Sequence, residues 1–140
     1  MPYIIIIFLP LISFININLF GFFIGYFGCC FFLGVVVQVL LLSCVYIIFY
    51  FITTFNTVFL DLGVWFSSGN LVSNFSFVFD SLSISMLFLI ILVSSIVILF
   101  SMDYMITDPF LTKFLSYLTL FSFFMIILVT STNMATLLAG

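Results

Sequence analysis

Long stretches without a charged residue, separated by short polar segments, dominate this sequence. They run from the amino terminus to Asp61, from Asp80 to Asp103, and onward from Lys113. An α-helix needs about 20 apolar residues to cross the roughly 30 Å hydrocarbon core of a bilayer, because it rises about 1.5 Å per residue. Lipid offers no partners for backbone polar groups, which favours helices that satisfy their own hydrogen bonds. The pattern therefore predicts membrane-spanning helices.

The first stretch is long enough for two spans, and the other two stretches hold one span each. A fifth apolar segment, residues 134–140, is too short to cross a bilayer. The stretches are apolar on every face, whereas the strands of a transmembrane barrel alternate apolar and polar residues. We therefore predict an all-α membrane protein in which residues 1–140 form a single transmembrane unit. The predicted helices cover about residues 3–23, 31–52, 82–100 and 114–130.

The segment over about residues 61–80 differs in kind from the apolar stretches. Trp65 lies before the turn-forming residues Ser67-Ser68-Gly69-Asn70, and aromatic residues alternate with smaller ones after them. Such a pattern is typical of a strand, a turn and a second strand. We predict a short β-hairpin at the membrane surface, with Trp65 in the interfacial belt and Asp80 or Ser81 capping the third helix. The predicted aromatic face consists of Phe75, Phe77 and Phe79.

Composition limits the chemistry that the chain can perform. Hydrophobic residues make up 67% of the sequence, and only four acidic residues, one basic residue and no histidine are present. All five charges fall in predicted loops or at helix ends, so we expect no ionisable group in mid-membrane to relay protons. The sequence also offers no nucleophile–base pair and no metal-ligand spacing, and we expect no catalytic, cofactor-binding or metal-binding residue.

Serine and threonine residues inside the predicted helices have two interpretations. We expect their hydroxyls to bond backbone carbonyls of their own helix, as is usual for such residues. The alternative is that Ser94 and Ser95 line a water path, which would need helices that this sequence does not contain. The residues concerned are Ser94, Ser95, Thr119 and Ser122.

A single lysine determines the predicted orientation. The positive-inside rule counts Lys and Arg in short loops, so Lys113 places the loop of residues 103–113 on the matrix or cytoplasmic side. With four spans, the amino terminus and the hairpin then lie on the opposite side.

Several ordered motifs carry a resemblance to a known family. They are WFSSGNL at 65–71, FDSLSISML at 79–87, Tyr104-Met105 followed by Asp108-Pro109, and FFMIILVTS at 123–131. In this order and spacing they resemble the amino-terminal part of subunit 5 of respiratory NADH:ubiquinone oxidoreductase, or complex I. That subunit is the distal antiporter-like member of the membrane arm.

The resemblance implies a multi-pass protein of the mitochondrial inner membrane, with its amino terminus on the intermembrane-space side. It implies scaffold helices in a proton-translocating arm, with NADH, FMN, iron–sulfur clusters and ubiquinone bound by other subunits and no cofactor on this chain. The implied partners are other membrane-arm subunits and lipids, without nucleic acid. Asp80 and the Asp108–Pro109 pair carry over only as cap and turn residues.

Three positions depart from the family pattern and argue against assigning proton sites here. Ile98 and Phe110 stand where the family often has histidine, and Thr132 stands where an acid is usual. The family's tryptophan–glutamate–glycine motif and its buried lysines would follow Gly140. We expect a second polypeptide to carry that remainder and its charged relay, a single longer chain being the alternative.

Two other functions are open from the sequence. A small structural subunit of a respiratory complex would share the hydropathy but not the motifs of residues 65–87. A piece of a related cation/proton antiporter would share the fold and would differ in its partner helices.

Overall fold

The computed structural model describes residues 2–55, 58–104, 107, 110–131, 137–138 and 140. Within them, four helical segments are long and apolar enough to cross a membrane, and two strands lie between the second and third of these segments. The predicted class, an all-α membrane protein with a hairpin, is confirmed. Most of the predicted fifth segment, residues 134–140, lies outside the described residues. The elements are α1 (Pro2–Thr54), β1 (Val58–Ser68), β2 (Leu71–Phe79), α2 (Ser81–Tyr104) and α3 (Leu111–Thr130).

Helix α1 contains two spans joined by a one-residue reversal. We call Ile4–Gly21 the first span and Phe27–Thr54 the second span. Gly25 has φ +77° and ψ −176°, a conformation essentially confined to glycine. The Sγ of Cys29 lies 3.9 Å from the carbonyl oxygen of Gly21, whereas a straight helix would separate these two residues by about 12 Å. The connection is therefore tighter than the gap between residues 23 and 31 that the sequence suggested.

The first and second spans pack antiparallel, as their buried residues show. Ile6 and Ile47 belong to one buried cluster, and Ile17 and Cys29 belong to another. The first cluster lies toward the amino terminus, where the second span ends, and the second lies toward the Gly25 reversal. Both clusters also include residues of α2 or α3, so all four spans share the core.

Strands β1 and β2 form an antiparallel hairpin whose pairing runs from Val58–Phe79 to Ser68–Leu71. Gly69 and Asn70 make the two-residue turn, and Gly69 has φ +59°. Because Asn70 does not have a positive φ, this is a type II′ turn, which matches the twist of a hairpin. The turn residues predicted from the sequence therefore mark the reversal correctly.

The base of the hairpin is packed into the end of the helix bundle. Phe77 and Phe79 are 1% and 0% exposed, and both belong to the buried cluster that contains Ile6. Phe77 also forms an antiparallel bridge with Ser131, the residue that follows α3. The prediction of an aromatic face is confirmed for these two residues, while the side chain of Phe75 lies outside the described residues. The hairpin therefore closes one end of the bundle.

Helices α2 and α3 extend further toward each other than the sequence suggested. Helix α2 continues to Tyr104, and α3 begins at Leu111. Asp103 and Lys113 consequently lie in the last turn of α2 and the first turn of α3. Charged residues mark the edge of the hydrocarbon, and a helix can continue past that edge because exposed charged side chains are compatible with helical backbone.

We predict that Gly25→Ala destabilises the protein, because alanine disfavours φ +77° and the strain is of order 1–3 kcal/mol. Gly34→Ala is the matched control in the second span, where an added Cβ meets no atom within 4 Å and no positive φ is required. The melting temperatures of both variants in detergent measure the effect. A Gly25→Ala variant as stable as Gly34→Ala would contradict the assigned reversal.

Candidate functional site: polar groups at the ends and centre of the bundle

Asp80 caps the amino terminus of α2. Its Oδ1 accepts the backbone N–H of Ser83 at 2.7 Å, and its carbonyl oxygen accepts the N–H of Ile84 at 2.9 Å. This is the geometry of an N-cap residue, which satisfies one of the free donors in the first helical turn. Ser81 is the first residue of α2 and is exposed. Of the two caps considered from the sequence, Asp80 occupies the position.

Hydrogen bonds from Ser83 hold the pKa of the Asp80 carboxyl below its usual range. The backbone N–H of Ser83 contributes most and its hydroxyl contributes next, while burial acts weakly in the opposite direction. A carboxylate is further favoured here by the positive end of the α2 macrodipole. Because the folded-state pKa is depressed, this carboxylate stabilises the fold above the unfolded pKa of aspartate. That stabilisation is lost as the pH falls through the folded-state pKa.

The hydroxyl of Ser83 also approaches the end of α3. Its Oγ lies 3.4 Å from the carbonyl oxygen of Val129, and Ser83 is only 8% exposed. One hydroxyl proton cannot serve both this carbonyl and the Asp80 carboxylate. The charged acceptor is the stronger one and the 3.4 Å distance is long, so we assign the proton to Asp80. Ser83 thus packs the start of α2 against the last turn of α3.

The charges at the other end of the bundle are exposed. Asp103 and Lys113 are both exposed, and Lys113 Nζ lies 5.9 Å from the ring centroid of Phe110. In the described parts of the four spans, Asp103 and Lys113 are the only charged side chains, and each lies within one turn of a helix end. The predicted turn pair Asp108–Pro109 lies outside the described residues. Trp65 belongs to β1, and its side chain is likewise outside the described part.

Hydroxyl groups in the middle of the bundle bond to carbonyls of their own helices. Ser95 Oγ donates to the carbonyl of Leu92 at 2.7 Å, and Thr119 Oγ1 donates to that of Ser116 at 2.7 Å. Equivalent bonds satisfy the hydroxyls of Ser13, Ser94 and Ser122. The prediction of bonds to the helix's own backbone is confirmed for the four residues that the sequence singled out.

Two recesses adjoin these hydroxyls. A groove of about 280 Å³ runs along the outer face between α2 and α3, and Ser94 and Ser122 are its only hydroxyl-bearing residues. A cavity of about 10 Å³ lies inside the bundle, where all four spans meet. Among the described residues, no group of three His, Cys, Asp or Glu side chains could hold a metal ion.

The sequence did not single out Ser83 or Ser13. Ser83 is the third residue after Asp80. At this spacing a backbone N–H of the first helical turn can donate to the side chain of the capping residue, so the spacing could have identified Ser83. Ser13 stands three residues after Pro10 and donates to the Pro10 carbonyl at 2.7 Å. Its approach to α2 and α3 has no comparable signal in the sequence.

Comparison with known proteins identifies related sequences over nearly the whole chain. The family model described as NADH-Ubiquinone oxidoreductase (complex I), chain 5 N-terminus, matches residues 65–115. This range holds most of the hairpin, the Asp80 cap, α2 and the start of α3. The resemblance to the amino-terminal part of subunit 5 is thereby confirmed.

Three proteins named NADH-ubiquinone oxidoreductase chain 5 show the extent of the similarity. That of Phytophthora infestans is 40% identical over 138 residues, which cover 96% of this chain and 20% of the relative. That of Dictyostelium citrinum is 38% identical over 145 residues, which cover 99% of this chain and 21% of the relative. That of Metridium senile is 39% identical over 139 residues, which cover 99% of this chain and 23% of the relative. The chain therefore spans about one fifth of the length of the curated relatives it matches.

We predict that Asp80→Ala lowers the free energy of unfolding by about 1 kcal/mol, since it leaves the first turn of α2 without its cap. Asp80→Asn should keep most of this stability, because asparagine is an equally good N-cap. It should also remove the loss of stability on acidification, since the amide does not titrate in that range. Unfolding of the purified protein in detergent at neutral and acid pH measures both effects.

Asp103→Asn is the control for loss of one negative charge. Asp103 lies at the carboxyl end of α2, where the macrodipole disfavours an acid, so this variant should not lose stability. An Asp80→Asn variant that loses stability on acidification as the parent does would contradict the role of the carboxylate.

Proposed function

Since the chain matches the amino-terminal fifth of NADH-ubiquinone oxidoreductase chain 5, we propose that it is part of the proton-translocating membrane arm of that respiratory complex. The observation that carries the proposal is 40% identity over 96% of the chain, reinforced by the family match across the hairpin, the cap and α2. In this proposal the chain is a multi-pass protein of the mitochondrial inner membrane. Its partners are the other membrane-arm subunits and the surrounding lipid.

The part assigned to these helices is scaffolding. A charge in the middle of a span costs about 2.5–3.5 kcal/mol or more and marks a proton or ion path. The described spans carry charge only at Asp103 and Lys113, near their ends, and their buried hydroxyls are bonded to backbone carbonyls. We therefore assign the charged relay to sequence outside these 140 residues. The NADH, FMN, iron–sulfur and ubiquinone sites are assigned to other subunits.

We further propose that the remainder of the subunit is supplied by a second polypeptide. The intact mass of the subunit in the purified complex tests this proposal. A species of 15.9 kDa supports a separate second polypeptide. A peptide that continues from residue 130 through a tryptophan–glutamate–glycine motif would show instead that one longer polypeptide carries both parts.

Copurification tests the functional assignment. A tag on this chain should recover an assembly that oxidises NADH with ubiquinone and contains the other membrane-arm subunits. Recovery of an assembly without NADH oxidation would favour a related cation/proton antiporter. Recovery of a different respiratory complex would favour a small structural subunit, and either result would overturn the proposal.

The orientation that we propose follows from Lys113 and yields a topological prediction. The hairpin and the amino terminus lie at the same end of the bundle. The exposed Thr107 lies at the opposite end, where Gly25 reverses α1. Ser68→Cys should react with an impermeant maleimide from the intermembrane space, and Thr107→Cys should react from the matrix. The parent protein controls for its own cysteines. Reversed accessibility in mitoplasts and inverted vesicles would contradict the orientation.

A further inference from the structure

The groove between α2 and α3 is open along the outer face of the bundle. Its volume is about 280 Å³, and it extends from Leu89 to Val97 on α2. This length is about 12 Å, or just over two helical turns. Ser94 and Ser122 lie near its middle, and small side chains at such a place allow a further helix to approach closely.

The lining of the groove is apolar. It contains no charged residue, and its two serine hydroxyls each donate to a carbonyl of their own helix. An ionisable side chain that pointed into the groove would have no partner there, so an occupant must present an apolar surface. Lipid tails are as apolar as leucine, so exposure alone does not distinguish lipid from protein as the occupant. The walls of the groove and the residue at its end distinguish them.

The walls of the groove have the spacing that a neighbouring helix contacts. On α3, Leu118, Phe121 and Met125 follow one another at intervals of three and four residues. On α2, the row from Ile90 through Val93 to Val97 has the same intervals. Side chains spaced in this way form the seam along which a second helix packs at a small crossing angle. A helix lying in the groove would therefore contact one such row on each side.

Gly140 lies at the hairpin end of the row on α3. The next position after Met125 at this spacing is Leu128, in the last turn of α3. A Cβ added to Gly140 would lie 2.8 Å from the backbone nitrogen of Leu128 and 2.9 Å from its Cα. Glycine permits this close approach of two backbones, which a side chain would block. The chain that leaves α3 at Thr130 has therefore returned to α3 by Gly140, and Leu137 and Leu138 just before it are helical.

We propose that this groove seats the membrane-spanning helix of the subunit that follows Gly140, in the same or in a second polypeptide. The identity of the occupant rests on the proposed function. The chain covers only 20% of one relative and 23% of another, and the family match is to the amino-terminal part, so most of such a subunit follows Gly140.

The position of Gly140 defines the path of this helix. Because α3 ends at the hairpin end of the bundle, a span that starts there crosses the bilayer in the direction opposite to α3. From Leu128 it runs past Met125, Phe121 and Leu118, with its apolar face in the groove. Any charged residue that it carries then points away from α2 and α3. The scaffold helices thereby fix the rotation of the first helix in the remainder of the subunit.

A map of the assembled complex that resolves side chains tests the seat directly. The groove should hold a helix whose sequence follows Gly140. A lipid acyl chain, a helix of a different subunit, a second copy of this chain or an empty groove would overturn the proposal, while the chain itself would still be a part of the complex. Absence of this chain from the complex would instead overturn the proposed function, and with it the identity of the occupant.

A blocking substitution provides a second measurement. Val93 is 55% exposed and lines the groove, so Val93→Trp should fill the seat and reduce the amount of assembled complex on native gels. Ile96→Trp is the matched control, because Ile96 is 58% exposed on the same helix and does not line the groove. Equal amounts of complex in the two variants would contradict an occupied groove.

Gly140→Ala tests the point at which the helix enters the groove. Its Cβ would push the chain away from the backbone of Leu128, so this variant should also yield less assembled complex. Gly34→Ala is the control, since a Cβ at Gly34 meets no atom within 4 Å. If the two alanine variants assemble equally well, the proposed path from Gly140 into the groove is wrong.

Discussion

The structure depends on one constraint, which is that the hydrocarbon core of a bilayer supplies no hydrogen-bond partners. Every backbone polar group inside the spans must therefore be satisfied within the protein. The helices meet this requirement by backbone bonding, and the buried hydroxyls meet it by donating to carbonyls three or four residues earlier, as Thr130 does to Ile126 at 2.7 Å. In the described parts of the spans, charged side chains occur only within a turn of a helix end. The same constraint explains why a hairpin could form only between spans.

The two ends of the bundle are built differently as a result. At one end the hairpin buries Phe77 and Phe79, and Asp80 binds the first turn of α2 close to the last turn of α3. At the other end a single glycine reverses α1, and Asp103 and Lys113 are exposed. The first end has the more extensive packing and the only described helix cap made by a carboxylate. We infer that the hairpin end holds the four spans in register.

Much of this architecture could be predicted from local sequence signals. The number of spans follows from the length of the apolar stretches, and the hairpin follows from Gly69 and Asn70 between alternating residues. The hydroxyl bonds of Ser95 and Thr119 follow from the local geometry of helices. The one-residue reversal at Gly25 did not follow, because Gly21, Gly25 and Gly34 look alike in sequence and only the structure shows which one has φ +77°. The helix ends beyond Asp103 and before Lys113 were also missed, because hydropathy reports the bilayer edge rather than the last helical residue.

The contacts between spans lay beyond sequence reasoning for a different reason. When a helix is apolar on every face, no periodicity indicates which face is buried. The convergence of Ser13, Ser95 and Thr119 on one cavity is therefore a tertiary feature, as is the burial of Phe77 against the end of α3. The family match shows similarity to the amino-terminal part of subunit 5 but does not by itself supply these contacts.

Our central proposal is that this chain contributes packing, and not charge transfer, to a proton-translocating complex. The most direct measurement compares the amount of assembled complex with the number of protons moved per NADH oxidised in an Asp80→Ala variant. Our account predicts less assembled complex and an unchanged proton ratio, since loss of the cap weakens the bundle and removes no relay group. A normal amount of complex with a lower proton ratio would contradict it.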